Sequence, residues 1–326
     1  MERKKFFVSL ILFIFFFLVL LAGYALLVNK FKSTPHWMNA LDSTIKTKNS
    51  IAAEKGKNKI IIVGASTSLD GISAELIEKR TGIPAVNYSL FAGLELYSFH
   101  LVKKIAQPGD TILLEPSFYI YRYNDKKMFA AQTEKERYIL TYDPDYYYGL
   151  NFLQKMNILI VGADDLHKNI KFENIKKTVR QPKLNDWGDE ILEPTTNKEW
   201  GSDGIQHYNI PNNFIDKFNG YAGTQGLKDF IEWTKENQIK TYAVFPAVYY
   251  KYDALDKNGN KGKLNKEALE AIEKFYSDNG VKTIGSPKDY FYENADFFHE
   301  PYHLNDEGRI FKTEYILAHW PDNKLN

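Results

Sequence analysis

Short apolar runs with strand-like composition recur along this chain, and segments with helical patterning separate them. The first run, Ile60–Val63, is continuously apolar, which is typical of a strand buried on both faces of a sheet. Similar runs follow at Ala85–Leu90, Thr111–Pro116, Lys240–Val248 and Val281–Pro287. Strands that alternate with helices are joined by right-handed crossovers and form a parallel sheet covered on both faces. The sequence therefore predicts an α/β fold, a three-layer α/β/α sandwich around a mainly parallel five-stranded sheet.

Capping residues mark two helix starts. Ser73 stands where an N-cap is expected, with Ile72 and Ile77 placed to form a hydrophobic staple and Gly82 placed to end the helix. Asn305 is the second expected N-cap, and two acidic residues after it favour the first turn of a final helix. These signals place one helix directly after the first strand and another near the end of the chain.

The N-terminal segment carries a long uncharged run. Phe6–Val28 contains no charged residue, and a helix of that length spans roughly 34 Å, enough to cross a bilayer. A cleaved signal peptide would have a shorter apolar region that ends in a small-residue site. Basic residues precede the run, which favours a cytoplasmic N-terminus. We therefore expect a signal anchor at 1–29, a linker at 30–58 and an extracytoplasmic domain at 59–326, with the protein in the cell membrane as a single-pass protein.

The alternation of predicted strands and helices stops in the middle of the domain. The segment at about 117–221 is rich in Tyr, Asn and Asp, and we interpret it as an insertion that lies over the strand ends. Its aromatic residues either form the core of a second layer or line a groove for sugar rings. The first candidates for such stacking are Trp187, Trp200, Tyr146 and Tyr147.

Composition excludes several classes of function. The formal net charge is +1, and no run of Lys and Arg follows the first few residues, so a nucleic-acid partner has no electrostatic support. The chain has no Cys, which excludes disulfides and thiolate metal sites. We therefore expect no nucleic-acid partner and no thiolate-bound metal.

The turn after the first predicted strand reads "GASTS" and lies where a parallel sheet places its ligands. A dinucleotide site would require Gly-x-Gly-x-x-Gly, but this turn offers Gly64 and Gly71 alone. A phosphate-binding P-loop would require Gly-Lys-Ser/Thr, which this turn lacks. Ser66 is therefore either a nucleophile or a residue that simply closes the turn.

A serine nucleophile needs a base, because its hydroxyl is weakly nucleophilic at neutral pH. His303 lies in the loop just before the final predicted helix, on the same edge of the sheet as Ser66. Glu300, three residues upstream, could orient the imidazole. A metal site built on His299 and His303 is the weaker alternative, so the candidate catalytic set is Ser66, His303 and Glu300.

These residues resemble the blocks of the SGNH (GDSL-type) esterase and acyltransferase superfamily, whose fold is a flavodoxin-like sandwich. The resemblance matches Gly64-Ala65-Ser66 to the block that carries the nucleophile. It matches Glu300 to His303 to the block that carries acid and base. The segment "VNYSLFAGLELYSF" resembles the second block, which implies an oxyanion hole made by Ser66 and Gly93, with Asn87 nearby. The resemblance implies no metal and no organic cofactor.

The chain departs from the family pattern at three places. Ala65 replaces the usual Asp after the glycine, and Glu300 replaces the usual Asp of the last block, for which Asp296 and His299 are alternatives. The Gly-x-Asn-Asp block is missing, and "LLEPSFY" stands in its place. Glu115 of that segment cannot replace the missing Asn when ionised, because a carboxylate only accepts hydrogen bonds.

One membrane span before an SGNH-like domain also resembles the proteins that assist alginate O-acetylation and lipoteichoic acid D-alanylation. The resemblance implies a membrane-anchored acyl esterase or O-acyltransferase that acts on a cell-envelope glycan. Its partners would be an acyl-ester substrate and a polytopic membrane O-acyltransferase. The alternative is a non-catalytic module of the same fold that binds or scaffolds in a complex that modifies envelope polysaccharides.

Overall fold

The computed structural model describes most of the chain, at residues 2–30, 36–91, 94–122, 136–156, 182–192, 225–249, 263–293, 296–298 and 302–321. The strands in these ranges are β1 (Ile60–Gly64), β2 (Ala85–Asn87), β3 (Thr111–Glu115), β4 (Lys240–Ala243), β5 (Val248–Tyr249), β6 (Lys282–Thr283) and β7 (Phe291–Tyr292). The helices are α1 (Glu2–Lys30), α2 (His36–Glu54), α3 (Ser66–Gly71), α4 (Ala74–Thr81), α5 (Glu95–Ile105), α6 (Tyr119–Arg122), α7 (Glu136–Tyr142), α8 (Pro144–Gly149), α9 (Gln225–Glu236), α10 (Lys263–Asp278) and α11 (Asp306–Ala318), with a 3₁₀ turn at Pro287–Tyr290.

The sheet has five parallel strands in the order β2-β1-β3-β4-β6. Its centre is β1, every residue of which is buried, because helices cover both faces of the sheet. On one side α4 packs against α11, and on the other α5 packs against α2 and α9. The predicted α/β fold with a parallel five-stranded sheet is therefore confirmed.

The predicted fourth strand, Lys240–Val248, is divided in the structure. The main sheet takes β4, which ends at Ala243, while β5 pairs with β7 in a separate two-stranded parallel sheet. Pro246 lies between β4 and β5 and has no N–H to donate to a strand ladder. The proline therefore explains why one apolar run forms two short strands.

The helix boundaries follow the predicted caps. The Ser73 side chain accepts a hydrogen bond from Leu76 N, and Gly82 ends α4 in the left-handed conformation with φ of 67°. At the start of α11, the Asn305 side chain accepts from Gly308 N. These local signals fix the two helices that flank the end of β1 and the loop before α11.

The segment predicted as a linker, 30–58, instead contains α2, which packs against β2 and α5. Met38, Leu41, Ile45 and Ala52 of α2 are buried at helical spacing. Lys48 occupies the same stripe, and its fully buried ammonium donates to the carbonyl oxygens of Asn87 and Gly188. This lysine interrupts the apolar pattern in the sequence, which is why the helix was missed.

In the part of the chain that the structure describes, no helix is both long and apolar enough to cross a membrane. The predicted span, Phe6–Val28, falls on α1, and the side chains of residues 21–22 and 24–30 lie outside the described ones. From Phe6 to Leu20 the large apolar side chains are exposed. The signal anchor therefore stays a prediction.

The predicted insertion, 117–221, lies between the adjacent strands β3 and β4, and its residues 123–135, 157–181 and 193–221 lie outside the described ranges. Its segment 182–192 forms a turn and docks on the edge of the sheet, where Asn87 N donates to Trp187 O. Asp189 accepts hydrogen bonds from Ala74 N and Glu75 N, which caps α4. Part of the insertion is therefore integral to the sheet edge.

Candidate active site

Ser66 and His303 meet at the carboxyl edge of the sheet. Ser66 is the first residue of α3, directly after β1, and His303 lies just before α11. Ser66 Oγ is 2.9 Å from His303 Nε2, although 237 residues separate the two in the chain. With its proton on Nδ1, the imidazole accepts a hydrogen bond from the serine hydroxyl, which is the arrangement of a nucleophile and its general base.

Close packing at Gly64 sets the position of Ser66. A Cβ at Gly64 would collide with Ser68 Oγ and with the backbone oxygen of Glu115, so the residue must be glycine. Ser68 Oγ donates to the Ala65 carbonyl at 3.0 Å, and this bond closes the first turn of α3. The glycine that the sequence offers for phosphate binding therefore serves to bring α3 close to the end of β3.

His303 is held by its own loop. A short antiparallel bridge joins Phe297 to Leu304, and Phe298 N donates to the His303 carbonyl at 3.2 Å. The imidazole lies parallel to the Phe298 ring, with centroids 6.1 Å apart, and edge-on to the Tyr302 ring, 4.9 Å away. His303 is 9% exposed, so the loop presents its ring to Ser66 from a largely buried position.

The acid that would orient His303 was predicted to be Glu300, which lies outside the described residues together with His299. The alternative, Asp296, is described. Its carboxylate accepts a hydrogen bond from Glu293 N at 3.0 Å, and burial raises the pKa of the Asp296 carboxyl. This bond places the Asp296 carboxylate on the backbone of its own loop, and the acid role of Glu300 stays a prediction.

The structure describes two of the three predicted oxyanion donors, Ser66 and Asn87. Gly93 lies outside the described residues. Asn87 is fully buried, and its amide nitrogen donates to the carbonyl oxygens of Ser68 and Ile72, at 3.1 and 3.0 Å. Asn87 therefore joins β2 to the end of α3, which corrects the expectation that it faces an oxyanion. Ser66 is the first residue of a helix, where backbone N–H groups have no intrahelical acceptor.

A buried ion pair occupies the place of the missing Gly-x-Asn-Asp block. Glu115, the last residue of β3, accepts a hydrogen bond from Lys312 Nζ of α11, and neither side chain has exposed surface. Burial raises the pKa of the Glu115 carboxyl and lowers the pKa of the Lys312 ammonium. Among the described residues, neither Glu115 Oε1 nor the nearby Thr67 Oγ1 has a well-aligned hydrogen-bond partner.

Sequence reasoning missed the role of this pair. Glu115 ends an otherwise apolar strand, and that polar residue in a buried run was the one available signal. Its partner Lys312 lies 197 residues later on an ordinary amphipathic helix, where a lysine indicates solvent. The pair lies beside α3 and thus supports the turn that carries Ser66.

The three described candidates for sugar stacking, Trp187, Tyr146 and Tyr147, are partly buried against the domain. Trp187 is half-buried, and Lys55 Nζ lies 4.8 Å from its ring centroid. Tyr146 packs against Tyr97 and His100, with centroids 5.1 and 4.7 Å away. Tyr147 is also half-buried, and Trp200 lies outside the described residues. For Trp187 and Tyr146 the structure therefore favours the core interpretation.

Comparison with known proteins adds little to this geometry. No family model matches the chain, and no curated protein matches it. Among solved structures, it is similar to the crystal structure of the protein YxiM from Bacillus subtilis, with 10% sequence identity and a TM-score of 0.36. The match covers 81% of this chain and 56% of that one, so the chain spans little more than half the length of YxiM. A match this distant carries no information about the function of this chain.

Proposed function

We propose that this protein is an SGNH-type serine acyl esterase or O-acyltransferase. The observation that carries the proposal is the 2.9 Å contact between Ser66 Oγ and His303 Nε2 at the carboxyl edge of a parallel sheet. A hydroxyl at the start of a helix and an imidazole on a distant loop, at that distance, form the minimal unit for nucleophilic acyl transfer.

The reaction follows from these two side chains. Ser66 Oγ attacks the carbonyl carbon of an acyl ester while His303 Nε2 takes the hydroxyl proton. The oxyanion lies at the N-terminus of α3, where the N–H of Ser66 donates to it. His303 then protonates the departing alcohol, and an acyl-enzyme remains. A second alcohol or water repeats the steps in reverse, so the same site supports both transfer and hydrolysis.

We propose an envelope glycan as the alcohol, and membrane anchoring through residues 6–28 with the domain outside the cytoplasm. Support comes from the uncharged N-terminal run and from the apolar side chains that α1 exposes between Phe6 and Leu20. Protease added to intact spheroplasts should then remove everything after Asn29. Cleavage that requires lysis would contradict the orientation. A polytopic membrane O-acyltransferase is the proposed partner, on the resemblance in architecture.

The alternative function is a non-catalytic binding or scaffold module. The oxyanion site favours it, because the amide of Asn87 is committed to α3 and Glu115 is held by Lys312. A module of this kind would keep the fold without turnover, and Ser66 would react no faster than an ordinary serine.

Labelling with a serine-directed fluorophosphonate decides between the two. The full chain should be labelled at one site, and Ser66→Ala should abolish the labelling. Ser68→Ala is the matched control, because Ser68 is a buried serine of the same helix whose hydroxyl is bonded to the Ala65 carbonyl. Labelling that persists in Ser66→Ala, or the absence of labelling in the wild-type chain, would favour the non-catalytic module.

The orienting acid is proposed to be Glu300, and a pair of variants tests it. Glu300→Gln should lower the rate of acyl-ester hydrolysis strongly, because a neutral amide neither favours the imidazolium nor fixes its tautomer. Asp296→Asn should have a small effect, since the Asp296 carboxylate is bonded to its own loop. A large loss of rate in Asp296→Asn with little loss in Glu300→Gln would assign the acid role to Asp296. If neither variant lost activity, the site would be a Ser-His dyad.

A further inference from the structure

The insertion exposes an apolar patch at the end of α8 and directly after it, formed by Tyr148, Phe152, Leu153 and Met156. Their exposed fractions are 69%, 73%, 78% and 38%. The segment is ordered by two reciprocal bonds, from Asn151 N to Gln154 Oε1 and from Gln154 N to Asn151 Oδ1, each 3.0 Å long. These bonds form a capping arrangement that starts a helical turn. The patch therefore stands on an ordered turn, and exposed apolar patches of this kind mark protein or membrane contacts.

The patch belongs to the part of the insertion that packs against the start of α2. Tyr142, the last residue of α7, donates from its hydroxyl to Asn39 Oδ1 at 2.9 Å. Two residues of α5, His100 and Lys104, contact Asp143 just before α8, at 3.2 and 2.7 Å. Tyr148 follows within α8. The helices α7 and α8 thus attach the patch to the first turns of α2 and to α5.

The direction of α2 places its first turn beyond the carboxyl edge of the sheet. Near the end of α2, Lys55 contacts Glu78, which also accepts from the N–H of Ala85, the first residue of β2. Earlier in α2, Lys48 contacts the carbonyl of Asn87, the last residue of β2. The helix therefore runs opposite to the strands. Asn39 lies nine residues before Lys48, about 14 Å further toward the edge that carries Ser66.

Chain length ties this end of α2 to the proposed anchor. Residues 31–35 alone separate the end of α1 at Lys30 from the start of α2 at His36. A link of that length spans at most roughly 20 Å. If α1 crosses the bilayer, the membrane surface lies within this reach of the α2 start, on the side of the sheet that carries the Ser66–His303 pair.

We propose that the patch formed by Tyr148, Phe152, Leu153 and Met156 rests on the lipid bilayer, and that this contact turns the carboxyl edge of the sheet toward the membrane. The inference rests on the proposed membrane anchoring. Exposed aromatic and aliphatic side chains insert into the boundary between headgroups and acyl chains, and tyrosine is enriched there. An acyl donor or acceptor would then reach Ser66 from the membrane side.

The absence of cysteine allows a direct test by site-specific labelling. Single-cysteine variants of the full chain, labelled with an environment-sensitive fluorophore, are reconstituted into protein-free phosphatidylcholine–phosphatidylglycerol vesicles that carry nitroxide lipids. Labels at Leu153→Cys and Met156→Cys should lose most of their fluorescence. A label at Lys57→Cys, exposed at the opposite edge of the sheet just before β1, should keep it. A label at Phe13→Cys in α1 reports anchoring separately.

A second pair of variants checks that the apolar side chains cause the contact. Phe152→Glu with Leu153→Glu should abolish quenching of the label at Met156→Cys. The matched control is Ile310→Glu with Phe311→Glu, which charges another exposed apolar pair, on α11, and should leave quenching unchanged.

The outcomes separate this inference from the anchoring on which it rests. Quenching at Phe13 without quenching at Leu153 would keep the anchor and overturn the membrane contact of the patch. Equal quenching at Lys57 and Leu153 would overturn the orientation. If Leu153 were shielded only in native membranes, the patch would bind a protein partner, which also contradicts the proposal.

Discussion

Both edges of the sheet bury a lysine with a carboxylate, but the two pairs differ in how completely they are satisfied. At the amino edge, Lys59 Nζ lies 2.8 Å from Asp110 Oδ2, and both side chains are almost fully buried. Asp110 also accepts hydrogen bonds from the backbone N–H groups of Lys59 and Gln107. At the carboxyl edge, Glu115 receives Lys312 on one oxygen, and its other oxygen has no well-aligned partner among the described residues.

The comparison assigns different roles to the two edges of the sheet. The pair at the amino edge holds backbone in place, and the pair at the carboxyl edge lies beside the candidate nucleophile. The carboxylate of Asp110 ties the start of β1 to the turn before β3, so every bond it accepts holds backbone in place. Glu115 lies beside the turn that carries Ser66, and Lys312 of α11 donates to its carboxylate.

The largest expected effect is on activity at the carboxyl edge. Ser66→Ala and His303→Ala should each lower hydrolysis of a p-nitrophenyl acyl ester at least about 10³-fold, and the double variant should be little worse, because the two groups act as a unit. The midpoint of urea unfolding of Ser66→Ala should stay near that of wild type, since Ser66 is only half-buried. Multiplicative losses in the double variant would show that the two residues do not act together.

The next effect is on stability at the amino edge. Asp110→Leu leaves Lys59 buried without its counter-charge, which should lower the free energy of unfolding by about 3–5 kcal/mol. Activity per folded molecule should stay unchanged, because the pair lies at the edge opposite Ser66. Chemical denaturation of the full chain in detergent, with the ester assay run alongside, measures both. If the folded fraction of Asp110→Leu lost activity, the Lys59–Asp110 pair would contribute to the active site as well as to stability.

Double variants give a smaller effect that separates the two pairs directly. Glu115→Leu with Lys312→Met replaces both charges by apolar groups and should be close to neutral in stability. Lys59→Met with Asp110→Leu should stay destabilised by about 2–3 kcal/mol, because the N–H groups of Lys59 and Gln107 lose their acceptor. The same denaturation measurements give the result. If both double variants had the free energy of unfolding of wild type, the two ion pairs would not differ in their contribution to stability.

The elements that carry these residues were predictable where the signal is local. The continuous apolar run of β1, the caps at Ser73, Gly82 and Asn305, and the placement of Ser66 and His303 on one sheet edge all follow from periodicity and strand–helix order. The meeting of Ser66 and His303 could be expected, because the carboxyl ends of parallel strands share an edge.

The missed features depend on contacts between distant residues. Lys48 breaks the apolar stripe of α2, and its two carbonyl acceptors lie 39 and 140 residues away. Lys312 looks like a solvated residue of an amphipathic helix, although Glu115 and α3 bury it. Asn87 was assigned to an oxyanion hole from its place at the end of β2, but the carbonyls at the end of α3 take its amide hydrogens. A buried polar residue cannot be assigned from a pattern until its partner is known.

Lys48 is a third buried lysine and gives the smallest predicted effect. Its ammonium donates to two carbonyl oxygens, and the carboxylates that act on it lie further off. Burial lowers the pKa of Lys48 to about 7, against the attraction of Asp189, Glu190 and Asp70. A folded-state pKa below the unfolded value means that the unfolded chain binds more protons between pH 7 and about 10.5, so stability rises with pH in that window.

From pH 7 to pH 9 the contribution of Lys48 to the free energy of unfolding should rise by about 2 kcal/mol. Lys48→Met removes the titrating group and should flatten this slope. The test is the difference between wild type and Lys48→Met in free energy of unfolding, measured at both pH values. The same slope in the two proteins would mean that Lys48 keeps its proton from pH 7 to pH 9 in the folded state.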